Sequence, residues 1–336
     1  MSGAGGARLL VTGATGFLGR NVAAALMAHG ARLSLLSRRA DAPIPEGASV
    51  VKADLASDAF ASELGPHLDG LDGILHMAAL VKSWVKDRTQ FDRINVRAFE
   101  TILELARARS LPVWYVSSFI ALGPTDGTAF TESDTRRDPS TRNDYERTKT
   151  IADAVARRAQ ASGMPLTVVN PGVIYGPGEL TEGNIMVNVA RDFARGKVPG
   201  ILGGGTSRWS YAFVDDVVAG IAAAVERGKP GERYLLGGDN RTGKEFFDVL
   251  ADALGKPRLK RSIPYGLAKM MGAAEVVLAE LFGRNPSLTP AAIEIFKHDW
   301  ALDSSKAKAE LGYRVTPLEE GLGRTVAWLR REKLAP

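Results

Sequence analysis

Two side chains four residues apart, Tyr145 and Lys149 in Tyr-Glu-Arg-Thr-Lys, could move a proton. At that spacing they share one face of a helix. A phenol near pKa 10 is a poor acid or base at neutral pH, and a neighbouring ammonium favours the phenolate and lowers that value. The spacing alone occurs often by chance and fits an ordinary surface helix better. It gains specificity from Ser117-Ser118, two hydroxyls at the end of Pro112 to Ser117, an apolar run that reads as a strand beside this helix.

A second stretch offers a seat for phosphate. Leu9 to Val11 reads as a buried strand, the chain breaks at Gly13, and a helix-compatible run extends from Asn21 to His29 before Gly30. Gly13, Gly16 and Gly19 form GxxGxxG rather than GxGxxG. Small residues let a backbone approach a pyrophosphate, and a helix start supplies free amides and partial positive charge. An ordinary tight strand-to-helix turn is the plainer alternative. The second strand ends in Ser37-Arg38-Arg39, where a dinucleotide fold carries an acid for the adenosine ribose. Ser37 removes that carboxylate and Arg38 could grip a 2′-phosphate, favouring NADP(H) with NAD(H) as the alternative. A solvated basic turn would leave the choice open. Asp54-Leu55, after the third strand, could meet the adenine amino group, or Asp54 could cap the next helix. His76-Met-Ala78-Ala79 closes the fourth strand with small residues that let a cofactor lie close, and His76 itself reads as a core histidine.

The elements that must hold these residues alternate. Strands are expected at Arg32 to Ser37, Ser49 to Lys52, Gly73 to Met77, Pro112 to Ser117 and Leu166 to Val169, with helices at Asp87 to Arg109 and Tyr145 to Ser162. Such alternation implies a doubly wound parallel sheet covered on both faces, with binding at the carboxyl ends of its strands. After Pro171 the loops lengthen and helices dominate, apart from one returning strand, Arg233 to Leu236. Residues 1–172 and 206–238 therefore read as the dinucleotide-binding domain. Residues 173–205 and 239–316 read as a smaller, mainly helical substrate lobe, and 317–336 as a C-terminal helix.

Composition narrows the classes. The 336 residues carry a net charge of +5, spread without a basic block, which disfavours nucleic acid and suits an anionic small molecule. With no cysteine there are no disulfides or thiolate sites, and the four histidines lack metal-ligand spacing, so no metal is expected. Met1 to Ala7 is Gly/Ala-rich rather than a secretory signal, and the expected location is cytoplasmic. The most apolar stretch, Ile263 to Gly283, is interrupted by Lys269, Glu275 and Glu280, which leaves its apolar runs too short to span a membrane. It reads as an amphipathic helix of the folded protein, with a membrane-surface element as the lesser alternative.

Taken in order, the motifs resemble those of the extended short-chain dehydrogenase/reductase family, over essentially the whole chain. They are Thr12–Gly19, Asp54-Leu55, His76–Ala79, Asn95-Val96, Val116–Ser118, Tyr145-x-x-x-Lys149, Pro171–Pro177 and Arg208-x-x-x-x-Phe-Val-Asp-Asp216. Ala79–Trp84, Ser117–Gly127 and Asp144–Lys149 are most similar to farnesol dehydrogenase and dihydroflavonol reductase members. The resemblance implies a Rossmann fold, Tyr145 as acid/base, Lys149 as its electrostatic partner and a contact to the nicotinamide ribose, and Ser118 as the hydroxyl polarising the substrate oxygen. Ser118 is preferred over Ser117 by its spacing to Leu122-Gly123, and Asn95 is expected to be structural. The resemblance also assigns Thr15, Phe17, Leu18, Pro171, Val173 and Ile174 to the cofactor site, and pairing of subunits through the helices at 87–109 and 145–162.

Sugar-nucleotide members often carry Arg and Asn where this chain has Asn170 and Val173, which argues for a less polar substrate. Leu80, Trp84, Phe119 and Ile120 fall on loops at strand ends and could form an apolar wall or simply pack a lid. The expected activity is hydride transfer between a nicotinamide and a carbonyl or alcohol of an apolar small molecule. The alternatives are a nucleotide-sugar epimerase or dehydratase that retains NAD, and a non-catalytic NADP(H)-sensing regulator.

Overall fold

A computed structural model describes residues 6–336 apart from 43, 83, 283–285 and 287, and without the side chains of Glu182 and Glu280. Most of the Met1–Ala7 stretch, Ser83 of the Ala79–Trp84 motif and the end of the 263–283 stretch lie outside the described residues.

The central sheet forms from short runs of buried apolar residues: β1 (Arg8–Thr12), β2 (Arg32–Ser37), β3 (Ser49–Lys52), β4 (Gly73–His76), β5 (Val113–Val116) and β6 (Leu166–Pro171). Three short strands follow, β7 (Val173–Tyr175), β8 (Ile201–Leu202) and β9 (Arg208–Phe213), before β10 (Arg233–Leu236) returns to the central sheet. Its order is β10-β6-β5-β4-β1-β2-β3, and every neighbouring pair is parallel. Strand order reverses between β1 and β4, so a crevice opens at the carboxyl ends there.

Helices cover both faces. They are α1 (Phe17–Ala28), α2 (Phe60–Leu64), α3 (Thr89–Asp92), α4 (Ala98–Ala108), α5 (Asp144–Ala161) and, past α6 (Ile185–Ala194), which packs in a separate core, α7 (Val214–Arg227). The helix expected over 87–109 is α3 and α4 joined by one π-helical turn, Arg93–Arg97. Such turns often mark positions where a side chain has a specific task, and this one holds Asn95.

The smaller lobe adds β11 (Asp239–Thr242), α8 (Gly243–Leu254), β12 (Ser262–Ile263), α9 (Tyr265–Phe282) and α10 (Pro290–Ile295). Strands β11, β9 and β7 form a second sheet, and β12 pairs with β8. The strand at 208–213 thus pairs within the lobe's sheet, whereas the expected division gave 206–238 to the larger domain. Conversely, Ala307 and Leu311 of α11 (Ser305–Leu311) and the nearby Tyr313 join the core of the central sheet, although 239–316 was assigned to the lobe. The last helix, α12 (Leu318–Arg331), packs its Leu318, Leu322, Val326 and Leu329 into the lobe's core. Among the described residues no helix is long and apolar enough to cross a membrane.

The stretch at 263–283 is amphipathic as α9, but its buried residues are small, Ala268, Gly272 and Ala279, while Met270 and Leu281 are 66% and 71% exposed.

Candidate active site

Local chemistry starts α5 just ahead of Tyr145. Asn143 caps the helix, its side-chain oxygen accepting from Glu146 N–H at 2.7 Å, and Asp144 and Glu146 occupy the first turn, where the helix dipole favours acids. Glu146 is fully buried and accepts from Arg136 at 2.6 Å and Arg142 at 2.7 Å. Arg136 also reaches the carbonyls of Ile120 and Ala121, at 3.4 and 3.5 Å. One guanidinium thereby ties the start of α5 to the 3₁₀ turn Phe119–Leu122, which begins at Ser118. On the other side, Asn95 donates to Thr148 Oγ1 at 3.0 Å and accepts from Leu80 N–H at 2.7 Å, the structural role expected of it.

These ties set the Ser118 hydroxyl beside the Tyr145 phenol, while Ser117 lies against Tyr115. Burial pushes the Tyr145 pKa up to about 12, and the neighbouring Ser118 hydroxyl pulls in the opposite direction. Lys149 is buried, and its Nζ donates to the Tyr115 hydroxyl at 3.1 Å and the Val116 carbonyl at 3.3 Å. Burial holds its pKa down to about 7 against the opposing charge of Asp153. The expected lowering of the Tyr145 pKa by Lys149 is therefore not what this geometry produces. The ammonium is aimed at Tyr115 and Val116, and desolvation governs the phenol.

Behind the pair lies a buried polar chain. Arg233, on β10, sits 2.7 Å from Asp153 and 2.5 Å from Asn170 Oδ1, and Asn170 Nδ2 donates to the Ser118 carbonyl at 2.9 Å. Sequence alone does not pair these residues. The available signal is Arg233 itself, a charge inside an apolar strand that must find a partner when buried.

The glycine turn sits at the crevice. Gly13 has φ +78°, and a Cβ there would come within 2.7 Å of Ala78 N, so both the turn and the loop after β4 require glycine. Gly19 faces the Gly13 carbonyl so closely that a Cβ would collide with it, which seats α1 on the turn. The helix begins at Phe17 rather than Asn21, with Gly16 as N-cap. No side chain caps it and no acid lies in its first turn, which contains Phe17, Leu18 and Gly19. Thr15 and Gly16 form the exposed crest. Open helix-start amides, a close-approach turn and small residues on the facing loop fit a pyrophosphate.

Other expected positions surround this turn. Ala78 N–H donates to Thr12 Oγ1 at 3.1 Å, and both Ala78 and Ala79 are partly exposed. His76 bonds the same hydroxyl at 2.7 Å and stacks on Phe99 and Tyr115. Burial takes its pKa down to about 3, so it is a neutral core histidine. Ser37 accepts from Arg39 N–H at 3.1 Å, whereas Arg38 is exposed with no side-chain partner among the described residues. Asp54 Oδ1 accepts from Ala56 N–H at 3.0 Å, closing a local turn, while α2 has Ala59 as its N-cap, so Asp54 does not cap that helix. Leu55 is partly exposed beside it. Pro171 ends β6 buried, with Val173 buried and Ile174 partly exposed in β7.

The apolar wall is reduced. Phe119 remains partly exposed and packs edge-on against Trp300 with ring centroids 5.5 Å apart, and both join the cluster that includes Tyr145. Trp300 carries no sequence signal, since 181 residues separate it from Phe119. Ile120 is buried in the lobe's core, and Leu80 stays partly exposed. Trp84 lines an open hollow with Val85, Lys86, Asp87 and Gln90, a set that does not include Tyr145. Among the described residues, no group of acids and histidines could hold a metal.

Comparison with known proteins agrees with this architecture. A family model, the NAD dependent epimerase/dehydratase family, matches residues 9–237. The chain is 30% identical to sterol demethylase protein B of Methylococcus capsulatus, over 96% of this chain and 98% of that protein. It is also 30% identical to the 4-hydroxy-2-methyl-3-oxo-4-farnesyl-3,4-dihydroquinoline-1-oxide ketoreductase of Stigmatella aurantiaca, over 92% of this chain and 93% of that one. The crystal structure of gox2253 superposes with a TM-score of 0.79 at 29% identity, covering 98% and 99% of the two chains. With its parallel seven-stranded sheet, its glycine turn at the strand-order reversal and a family match over most of its length, the chain belongs to the NAD dependent epimerase/dehydratase family of extended short-chain dehydrogenases/reductases.

Proposed function

We propose that the protein is an NAD(P)-dependent oxidoreductase acting on a carbonyl or alcohol of a relatively apolar small molecule. The observation that carries this reading is the juxtaposition of Ser118 and Tyr145 beside the apolar pair Phe119 and Trp300. The names of two relatives point the same way, since a sterol and a farnesyl quinoline are apolar.

In reduction, Ser118 Oγ–H would donate to the substrate oxygen and Tyr145 would deliver its proton to it. With its pKa pushed up by burial the phenol is protonated at neutral pH and so carries the proton that reduction consumes. Oxidation needs the phenolate and would quicken as pH rises. Phe119 and Trp300 would exclude water. The dinucleotide would be held by the amides of Gly16 to Leu18 beneath its pyrophosphate, with Ala78, Ala79, Pro171, Val173 and Ile174 along it, Asp54-Leu55 at its adenine and Lys149 at its ribose. Arg38 favours a 2′-phosphate and hence NADP(H). When bound, the nicotinamide supplies or takes up the hydride. The lobe formed by β7, α6, β8, β9, β11, α8 and α12 would cover the substrate.

Turnover of apolar ketones and aldehydes with NADPH and NADH, followed by cofactor absorbance, tests the reading. Tyr145→Phe should lower kcat by about 10²–10⁴-fold while leaving cofactor titration unchanged. Arg38→Ala should weaken NADPH about tenfold, or about 1.4 kcal/mol, and spare NADH. Conversion of a nucleotide sugar without net cofactor consumption would establish an epimerase or dehydratase instead. Binding of NADPH with no turnover of any substrate class would mark a regulator.

A further inference from the structure

Helix α9 is built inside out. Leu267, Met270, Met271, Leu278, Leu281 and Phe282 recur at three- and four-residue spacing and so share one stripe, and every one of them is exposed. The inward stripe is made of small residues: a Cβ on Gly272 would come within 3.3 Å of Ile293 and of the backbone at Leu288 and Pro290. Two of its charged groups are also turned to the protein. Glu275 accepts from Leu288 N–H at 3.1 Å, and Lys269 pairs with Glu294. Large contiguous apolar surfaces on a folded chain mark an interaction site.

The segment just before the helix says what the partner is. Lys256, Arg258, Lys260 and Arg261 fall within six residues. Arg258 is held by Asp252 at 2.7 Å, but Lys256, Lys260 and Arg261 make no ion pair among the described residues. Unpaired cations beside an apolar helical stripe complement a surface with anionic headgroups over an apolar interior. A second copy docked across a two-fold axis would bring a like-charged patch to the same region, without that neutralisation. Two adjacent methionines, pliable and unbranched, suit a surface of no fixed shape.

We propose that residues 256–282 form a docking surface for an anionic lipid bilayer. Helix α9 lies in the plane of the interface with its Leu/Met/Phe stripe among the acyl chains, and Lys256, Lys260 and Arg261 sit against the headgroups. It lies on the membrane rather than spanning it. The inference rests on this surface alone and stands whatever reaction the protein catalyses.

Co-sedimentation of the purified protein with vesicles tests it, using phosphatidylcholine alone and phosphatidylcholine mixed with phosphatidylglycerol. The protein should bind the mixed vesicles, bind the neutral ones far less, and dissociate as salt is raised. The double variants Met271→Glu/Leu278→Glu and Lys260→Glu/Arg261→Glu should each weaken binding by roughly tenfold or more. Circular dichroism and a thermal melt check that the variants fold. Should either misfold, the lipid and salt dependence of the unaltered protein decides alone. Absence of binding to the mixed vesicles, or binding indifferent to both double variants, overturns the proposal. So does a dimer that falls to monomer in Met271→Glu/Leu278→Glu without any vesicle binding, which would show that a second copy covers the stripe.

Discussion

Helices α5 and α9 are both 18 residues long, and they handle the amphipathic rule in opposite ways. Helix α5 buries charge: Glu146, Lys149 and Asp153 all face the interior. Helix α9 exposes apolar side chains and buries alanine and glycine. Neither arrangement follows from helix formation alone, which needs only an apolar stripe facing the core. In α5 the two buried carboxylates are matched by Arg136, Arg142 and Arg233 from other parts of the chain and Lys149 by hydrogen bonds to Tyr115 and Val116, so the departure is compensated within the fold. In α9 no compensation lies among the described residues, and the docking surface proposed above rests on that difference. Buried charge that is fully paired points to positioned chemistry, and unpaired apolar surface points to a partner.

The contrast is testable from its largest expected consequence downward. A lysine whose native pKa is held near 7 binds fewer protons than its unfolded counterpart near 10.5. The stability of the cofactor-free protein should therefore rise with pH from about 7 to about 10, the interval in which the unfolded lysine is still charged and the native one is not. Denaturant melts across that range should show the slope in the parent protein and lose most of it in Lys149→Met. A slope unchanged in that variant would mean that Lys149 is not desolvated as its geometry indicates.

Glu146→Gln comes next. It removes the charge that Arg136 and Arg142 share, leaving two poorly hydrated guanidiniums, and should cost about 3 kcal/mol in urea unfolding. Because Arg136 also holds the turn at Ser118, kcat should fall even where the variant is fully folded. On α9 the same measurement should register almost nothing. Met270→Gln changes an exposed side chain and should stay within about 0.5 kcal/mol. A large loss there would mean that the stripe is covered within the folded protein, which would remove the distinction between the two helices.

The helices expected to join two subunits bear on the same point. Among exposed large apolar side chains, those helices contribute Ile151, at 37%, whereas α9 contributes most of the rest. The apolar surface available for association is therefore concentrated on α9, away from the helices expected to pair.

Much of the molecule is legible from local pattern. Strand runs such as Arg32 to Ser37 and Arg233 to Leu236, the glycine turn, and Tyr145 and Lys149 on one helical face depend on residues within a few positions of one another. Periodicity reports those directly. What only the tertiary structure decided are contacts across long separations. Ser118 faces Tyr145 because Arg136 bridges their elements, Arg233 lies against Asp153 from 80 residues away, and Trp300 supplies the ring beside Phe119. The direction in which Lys149 points, and so the protonation of Tyr145, follows from that packing and not from the four-residue spacing. The same holds for α9. Its sequence specifies a helix with an apolar stripe and a small-residue stripe, and either could have faced inward. Close approach to Leu288, Pro290 and Ile293 admits only the small one, and that leaves the large one outside.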